Sequence, residues 1–115
     1  MDYNKEVLDF ATKKVVEENL KGQASDSVEY LHGSWETILK DDTTQSKNAL
    51  KNKFSLIIMC ETLYNKEYYE SLMDLIKWSL TKDGYVILGT KTFYYGFGGG
   101  FFDFNQWLEK NFDKY

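Results

Sequence analysis

The run Phe54-Ser-Leu-Ile-Ile-Met-Cys60 constrains this chain more than any other segment, because both of the faces that a strand presents there are largely apolar. A strand of that kind has to be covered on each side, which points to the centre of a parallel sheet packed between helices. The next segments agree. After the polar stretch Glu61 to Lys66, the residues Tyr69, Leu72, Met73, Ile76 and Leu80 recur at helical spacing and predict a helix returning across the sheet. Lys82-Asp83-Gly84 reads as its stop, and Tyr85-Val-Ile-Leu-Gly-Thr90 as a second buried strand.

Upstream, Val7, Phe10, Ala11, Val15 and Leu20 predict an amphipathic helix over Lys5 to Leu20, closed within Lys21 to Ser25 by Gly22. The alternating run Ser27 to His32 predicts a strand ending at Gly33-Ser34, before Trp35; Glu36 to Lys53 reads as a short helix and a loop. Downstream, Gly96-Phe-Gly-Gly-Gly100 predicts a flexible loop. Phe101, Phe104, Leu108 and Phe112 then share one face of a closing helix, with Trp107 beside it. The predicted order is helix, strand, helix, strand, helix, strand, helix. Alternation of this kind gives an α/β sandwich with a parallel sheet and a ligand site at the carboxyl ends of the strands.

Size and charge narrow the function. With 115 residues the chain builds one core at most, burying roughly two-thirds of its unfolded surface. Fourteen basic residues against 18 acidic ones, with no basic stripe, give no support to a nucleic-acid partner. No run approaches 18 consecutive apolar residues and none resembles a signal peptide, so no membrane role is expected. Cys60 alone cannot form an internal disulfide, which suits the cytoplasm or the nucleus. His32 is the only histidine; with Cys60 it makes no metal-ligand set, and it is assigned no catalytic role.

Three constellations could carry chemistry. Glu61-Thr-Leu-Tyr64-Asn65 follows the best strand, where a carboxylate, a phenol and a carboxamide could orient a cofactor or a reacting side chain; taken alone it is first an ordinary polar strand-to-helix turn. The Gly96 to Gly100 loop opens a helix, yet a G-x-G-x-x-G count from Gly96 puts Phe101 at the third glycine, and no Gly-Lys-Ser/Thr comes after it. Close backbone approach to a ligand and a plain connection serve it equally. Trp35 could stack on an adenine ring, though core is the commoner role for a tryptophan; Tyr64, Tyr68 and Tyr69 divide between core and site rim.

Read together, Cys60-Glu-Thr-Leu-Tyr-Asn65 and Lys91-Thr-Phe-Tyr-Tyr-Gly-Phe-Gly-Gly-Gly100 resemble the eukaryotic protein-histidine methyltransferases that modify a ribosomal protein. Asp2-Tyr3-Asn4, with Glu6-Val7-Leu8, is similar to that family's segment after the second strand. Leu31-His-Gly-Ser-Trp35 is similar to the end of its third strand. The resemblance implies that residues 1–115 are a partial seven-strand, Rossmann-like methyltransferase domain, running from after the second strand to the helix after the fifth. It implies S-adenosylmethionine as methyl donor and a protein histidine as acceptor, in a ribosomal or another protein.

By the same resemblance, Asp2 lies near the cofactor ribose, and Gly33, Ser34 and Trp35 lie beside the adenine. Glu61, Tyr64 and Asn65 face the methyl group and the incoming side chain, and Glu61 or Asn65 selects the imidazole tautomer. Lys91 and Gly96, Gly98, Gly99 and Gly100 shape the substrate entrance, where Phe93 replaces the family's usual histidine. The family's first strand, its glycine-rich cofactor loop and its terminal strand pair have no counterpart in these residues. The strand Phe54 to Cys60 is therefore expected to have an unpaired apolar edge, and the isolated chain to bind cofactor weakly or not at all unless another polypeptide completes the sheet. That expectation also leads to self-association, and to a non-catalytic remnant or partner-binding module as the alternative.

Overall fold

A computed structural model describes residues 1–21, 28–40, 45–96 and 98–115. In chain order the elements are α1 (Lys5–Val7), a π turn (Leu8–Thr12), α2 (Lys13–Leu20), α3 (Trp35–Ile38), α4 (Gln45–Leu50), β1 (Phe54–Cys60), a 3-10 turn (Lys66–Tyr68), α5 (Tyr69–Ser79), β2 (Leu80–Gly89), α6 (Phe101–Lys110) and a last 3-10 turn (Phe112–Lys114). This is a small α/β arrangement in which β1 and β2 form a two-stranded parallel sheet.

The first helix runs over Lys5 to Leu20 as expected, with a π turn inside it that the apolar spacing does not announce. Asn4 starts it, its side chain accepting from the Glu6 N–H at 2.9 Å. Its buried contact is Leu8, which the periodicity left out, while Val7, Phe10 and Val15 are exposed because no described element packs extensively on them. Lys21 closes α2 in the left-handed conformation; the expected stop Gly22 lies outside the described residues.

Asp9 is gripped from both sides along this helix, by Lys13 at 2.6 Å and by Lys5. The Lys13 hydrogen bond, then that of Lys5, holds the Asp9 carboxyl at about 2 instead of the ordinary 3.8. A depressed carboxyl pKa stabilises the folded chain above the unfolded value, and the contribution is lost as pH falls through about 2. Asp9→Asn is therefore expected to lower the melting temperature slightly at neutral pH and to match the parent below about pH 2, as thermal scans across that range will check.

The strand expected over Ser27 to His32 is corrected. Ser27 lies outside the described residues, Val28 to Leu31 join no ladder, and His32 makes one isolated parallel bridge with Asp2. Asp2 donates its N–H to Leu31 O at 3.0 Å and accepts from the Gly33 N–H at 3.1 Å. On the Asp2 side pairing stops there because Asn4 already caps α1.

β1 has the predicted bounds, but the expectation that it is covered on both sides is corrected. Met59 is buried and Ile57 half-buried against α5, while Leu56 and Ile58 point the other way and are exposed. The pairs Leu56↔Tyr85 and Ile58↔Ile87 make this a block of four apolar side chains, with Ile58 64% and Tyr85 75% exposed. Among the described residues no strand pairs with the other edge of β1.

The predicted end of α5 also shifts. Leu80 is extended, not helical, and Lys82-Asp83-Gly84 falls within the span of β2. Between Phe54↔Leu80 and Leu56↔Tyr85, β1 advances two residues and β2 five, so Thr81 to Gly84 are accommodated as a bulge rather than a separate turn.

The core gathers Met59, Leu63, Tyr69, Leu72, Ile76 and Phe104, with Trp107 and Leu108 packed against it. The predicted α6 face is therefore partly corrected: Phe101 is exposed, and Phe112 lies beyond the helix, 73% exposed. Asn111 explains this, because its side chain donates to Trp107 O at 2.7 Å and turns the chain off the helical path before Phe112.

Candidate functional site

Glu61 follows β1 directly and donates its N–H to Gly89 O at 2.9 Å, so it is held at the carboxyl ends of both strands. Its φ of 55° is left-handed, a conformation that a residue with a side chain adopts at a cost of roughly 1–2 kcal/mol. That bend sends the chain sharply away from the sheet. Leu63 then plugs the core, Tyr64 remains exposed, and Asn65 caps the 3-10 turn by accepting from the Glu67 N–H at 3.0 Å.

The bend forms one wall of a cleft of about 510 Å³. Asp2 and Tyr3 form a second wall and Gly33 to Glu36 a third, while Thr62, Tyr64 and Tyr68 continue the first. The Asp2–His32 bridge brings the second and third segments together. Asp2 is oriented by the Asn4 N–H, donated to its Oδ1 at 2.7 Å, and Ser34 accepts from the Glu36 N–H at 3.1 Å and so starts α3. Gly33 has φ 152°, which lets the chain turn from the bridge into that helix. Trp35 stands edge-on to Tyr68 with ring centroids 6.2 Å apart.

Asp2, Gly33, Ser34, Trp35, Glu61 and Tyr64, chosen from the sequence, thus converge on one cleft. Lys91 joins through Glu61, its Nζ lying 3.6 Å from the carboxylate in an ion pair open to solvent. Asn65 does not line the cleft and is engaged as a cap. Gly96, Gly98, Gly99 and Gly100 of the loop after β2 do not line it either. Gly98 lies against Lys66, Gly99 against the backbone of Leu63 and Tyr64, and Gly100 against Thr92 and Phe93; only Gly96 faces open space, and Phe97 lies outside the described residues. The loop expected to be flexible is pinned at Gly99 and Gly100, which are buried.

Thr62 carries no signal in the sequence that would single it out. The residue lines the cleft, and its buried hydroxyl has no hydrogen-bond partner among the described residues. A lone threonine within a polar turn does not announce this. The tyrosines divide as expected, with Tyr69 in the core and Tyr64 and Tyr68 on the cleft. Among the described residues no three His, Cys, Asp or Glu side chains converge on a metal position, and no helix is long and apolar enough to cross a membrane.

No family model matches the chain. Individual relatives do. The histidine protein methyltransferase 1 homolog of Dictyostelium discoideum is 34% identical over 109 residues, which is 94% of this chain and 32% of that protein. The chain is homologous to part of the histidine protein methyltransferase 1 homologs. The Bos taurus homolog is 35% identical over 81 residues and the Rattus norvegicus homolog 38% over 58, covering 70% and 50% of this chain. The chain spans about a third of the length of the Dictyostelium relative and 21% of the bovine one.

Proposed function

We propose that the chain carries the donor side of an S-adenosylmethionine-dependent protein methyltransferase whose acceptor is a histidine of another protein, a ribosomal protein being one such substrate, in the cytoplasm or nucleus. The observation that carries this is the convergence of Asp2, Gly33 to Trp35 and Glu61 on one cleft. A volume of about 510 Å³ is within the range for a ligand of cofactor size. The donor set fits as well: carboxylates for ribose hydroxyls and an ammonium, and an indole for a flat base.

When bound, the cofactor supplies a sulfonium-activated methyl group. The chain's own residues bind and orient. Asp2 accepts from hydroxyls on the side already fixed by the Asn4 amide, and Glu61, aimed by its left-handed backbone, presents a carboxylate at the strand ends. Tyr64 is the exposed rim on which an incoming side chain would settle. Such a site accelerates transfer mainly by alignment, with little proton movement.

Calorimetric titration with S-adenosylhomocysteine tests the reading. Weak binding is expected, because the edge of β1 has no strand partner among the described residues, and Asp2→Ala is expected to weaken it about tenfold further, the loss of one charge-assisted hydrogen bond. A flat titration from a demonstrably folded sample would remove the donor-site reading. It would favour a second one, a non-catalytic module that binds a partner. The open face of Leu56, Ile58, Tyr85 and Ile87, with the unpaired edge of β1 beside it, supports that alternative. The partner would be a second copy or another polypeptide that completes the sheet, and concentration-dependent sedimentation would register the first.

A further inference from the structure

Two segments matter to the proposed site, the Glu61–Asn65 turn and the glycine loop after β2, and they meet away from the cleft. A buried phenol joins them. Tyr69, the first residue of α5, donates its hydroxyl to Leu63 O at 3.3 Å and accepts the Gly100 N–H at 3.2 Å. Its ring is fixed independently, edge-on to Phe104 at 5.1 Å and to Trp107 at 5.8 Å. Burial raises the phenol's pKa, so the hydroxyl keeps the proton that it donates.

We infer that Tyr69 is a positioning residue whose hydroxyl fastens the glycine loop to the Glu61–Asn65 turn, so that the donor cleft and the neighbouring loop keep one relative placement. The inference rests on the donor-cleft reading and deepens it. Backbone contact supports it at the same seam: a Cβ on Gly99 would stand 2.3 Å from Leu63 O, so the two main chains already touch. The ion pairs of Lys66 with Asp103 at 2.7 Å and of Lys91 with Glu61 at 3.6 Å also tie this region, but both are solvent-exposed and contribute little. Removing the hydroxyl leaves a buried N–H and a buried carbonyl without a partner, which is the costlier loss. Within the loop, Tyr94 N–H donates to Gly99 O and Phe101 N–H to Lys91 O, both at 3.0 Å, so these two amides report whether the loop opens.

The test compares Tyr69→Phe, which keeps the ring, with Ile76→Val, a core truncation two turns along α5, in the full chain. Amide hydrogen exchange and S-adenosylhomocysteine titration are read on each. In Tyr69→Phe the amides of Tyr94 and Phe101 are expected to exchange about tenfold faster while those of β2 hold, and the affinity is expected to fall about tenfold. Ile76→Val should change neither the loop amides selectively nor the affinity. Equal changes in both variants, or loop amides as slow in Tyr69→Phe as in the parent, would overturn the inference and leave the donor-cleft reading intact. Should the parent chain bind no S-adenosylhomocysteine, the donor-cleft reading fails, and the exchange pattern alone decides whether Tyr69 fastens the loop.

Discussion

Gly100→Ala is expected to lower the melting temperature of the chain by roughly 10–20 °C, or to prevent folding at 37 °C. Two independent penalties meet at this position. The backbone lies at φ 124°, where a side chain is strained whatever space surrounds it. An added Cβ would also stand 2.6 Å from Thr92 O and 2.9 Å from the Phe93 Cα, and backbone atoms cannot swing aside as a flexible side chain can. Strain of about 1–2 kcal/mol and overpacking of about 1–3 kcal/mol sum to roughly 3 kcal/mol, against a total stability on the order of 5–15 kcal/mol. Gly96→Ala is the internal comparison. Its φ of 94° carries the strain alone, with nothing within 4 Å of the added carbon, and about 1 kcal/mol is expected. Thermal unfolding followed by circular dichroism measures both, and a Gly100→Ala midpoint within a few degrees of the parent would contradict the close approach at this seam.

The contrast between these two glycines shows where a sequence stops being legible. Phe54 to Cys60 declared itself because local composition alone identifies a strand, and the helix beginning near Tyr69 declared itself by period. Neither signal names a partner. Ser27 to His32 alternates as a strand does, yet Asp2 offers it a single bridge. Leu80 continues the helical period of Tyr69, Leu72 and Ile76, but pairing with Phe54 draws it into β2, and sheet register prevails over periodicity. The glycines after Gly96 read as freedom; at Gly99 and Gly100 they are required by closeness, a distinction that exists only once the Leu63 carbonyl and Thr92 are in place. The cleft obeys the same rule. Asp2, Trp35 and Glu61 are far apart in sequence and carry no motif spacing, so it was the resemblance to a family, not their pattern, that picked them out together. Thr62 and the Tyr69 hydroxyl escaped even that, because an orphaned hydroxyl and a satisfied one look identical in a sequence.

Leu63→Ala is expected to cost about 2–5 kcal/mol, the range for removing most of a fully buried leucine, and to shift the urea midpoint accordingly. Leu63 is completely enclosed within the cluster of Met59, Tyr69, Leu72, Ile76 and Phe104, so the space left by truncation opens beneath the turn that carries Glu61 and Tyr64. Tyr85→Ala removes a larger side chain from the open sheet face, where Tyr85 is 75% exposed, and should stay within about 0.5 kcal/mol of the parent. The pair separates two accounts of what holds this small sheet together. If packing on the α5 side is decisive, only Leu63→Ala moves the midpoint, and the cleft is then only as stable as the residue beneath it. If the midpoint moves instead with Tyr85, the open face is covered in solution, and the Leu56, Ile58, Tyr85 and Ile87 block contributes to stability through an association that dilution would weaken.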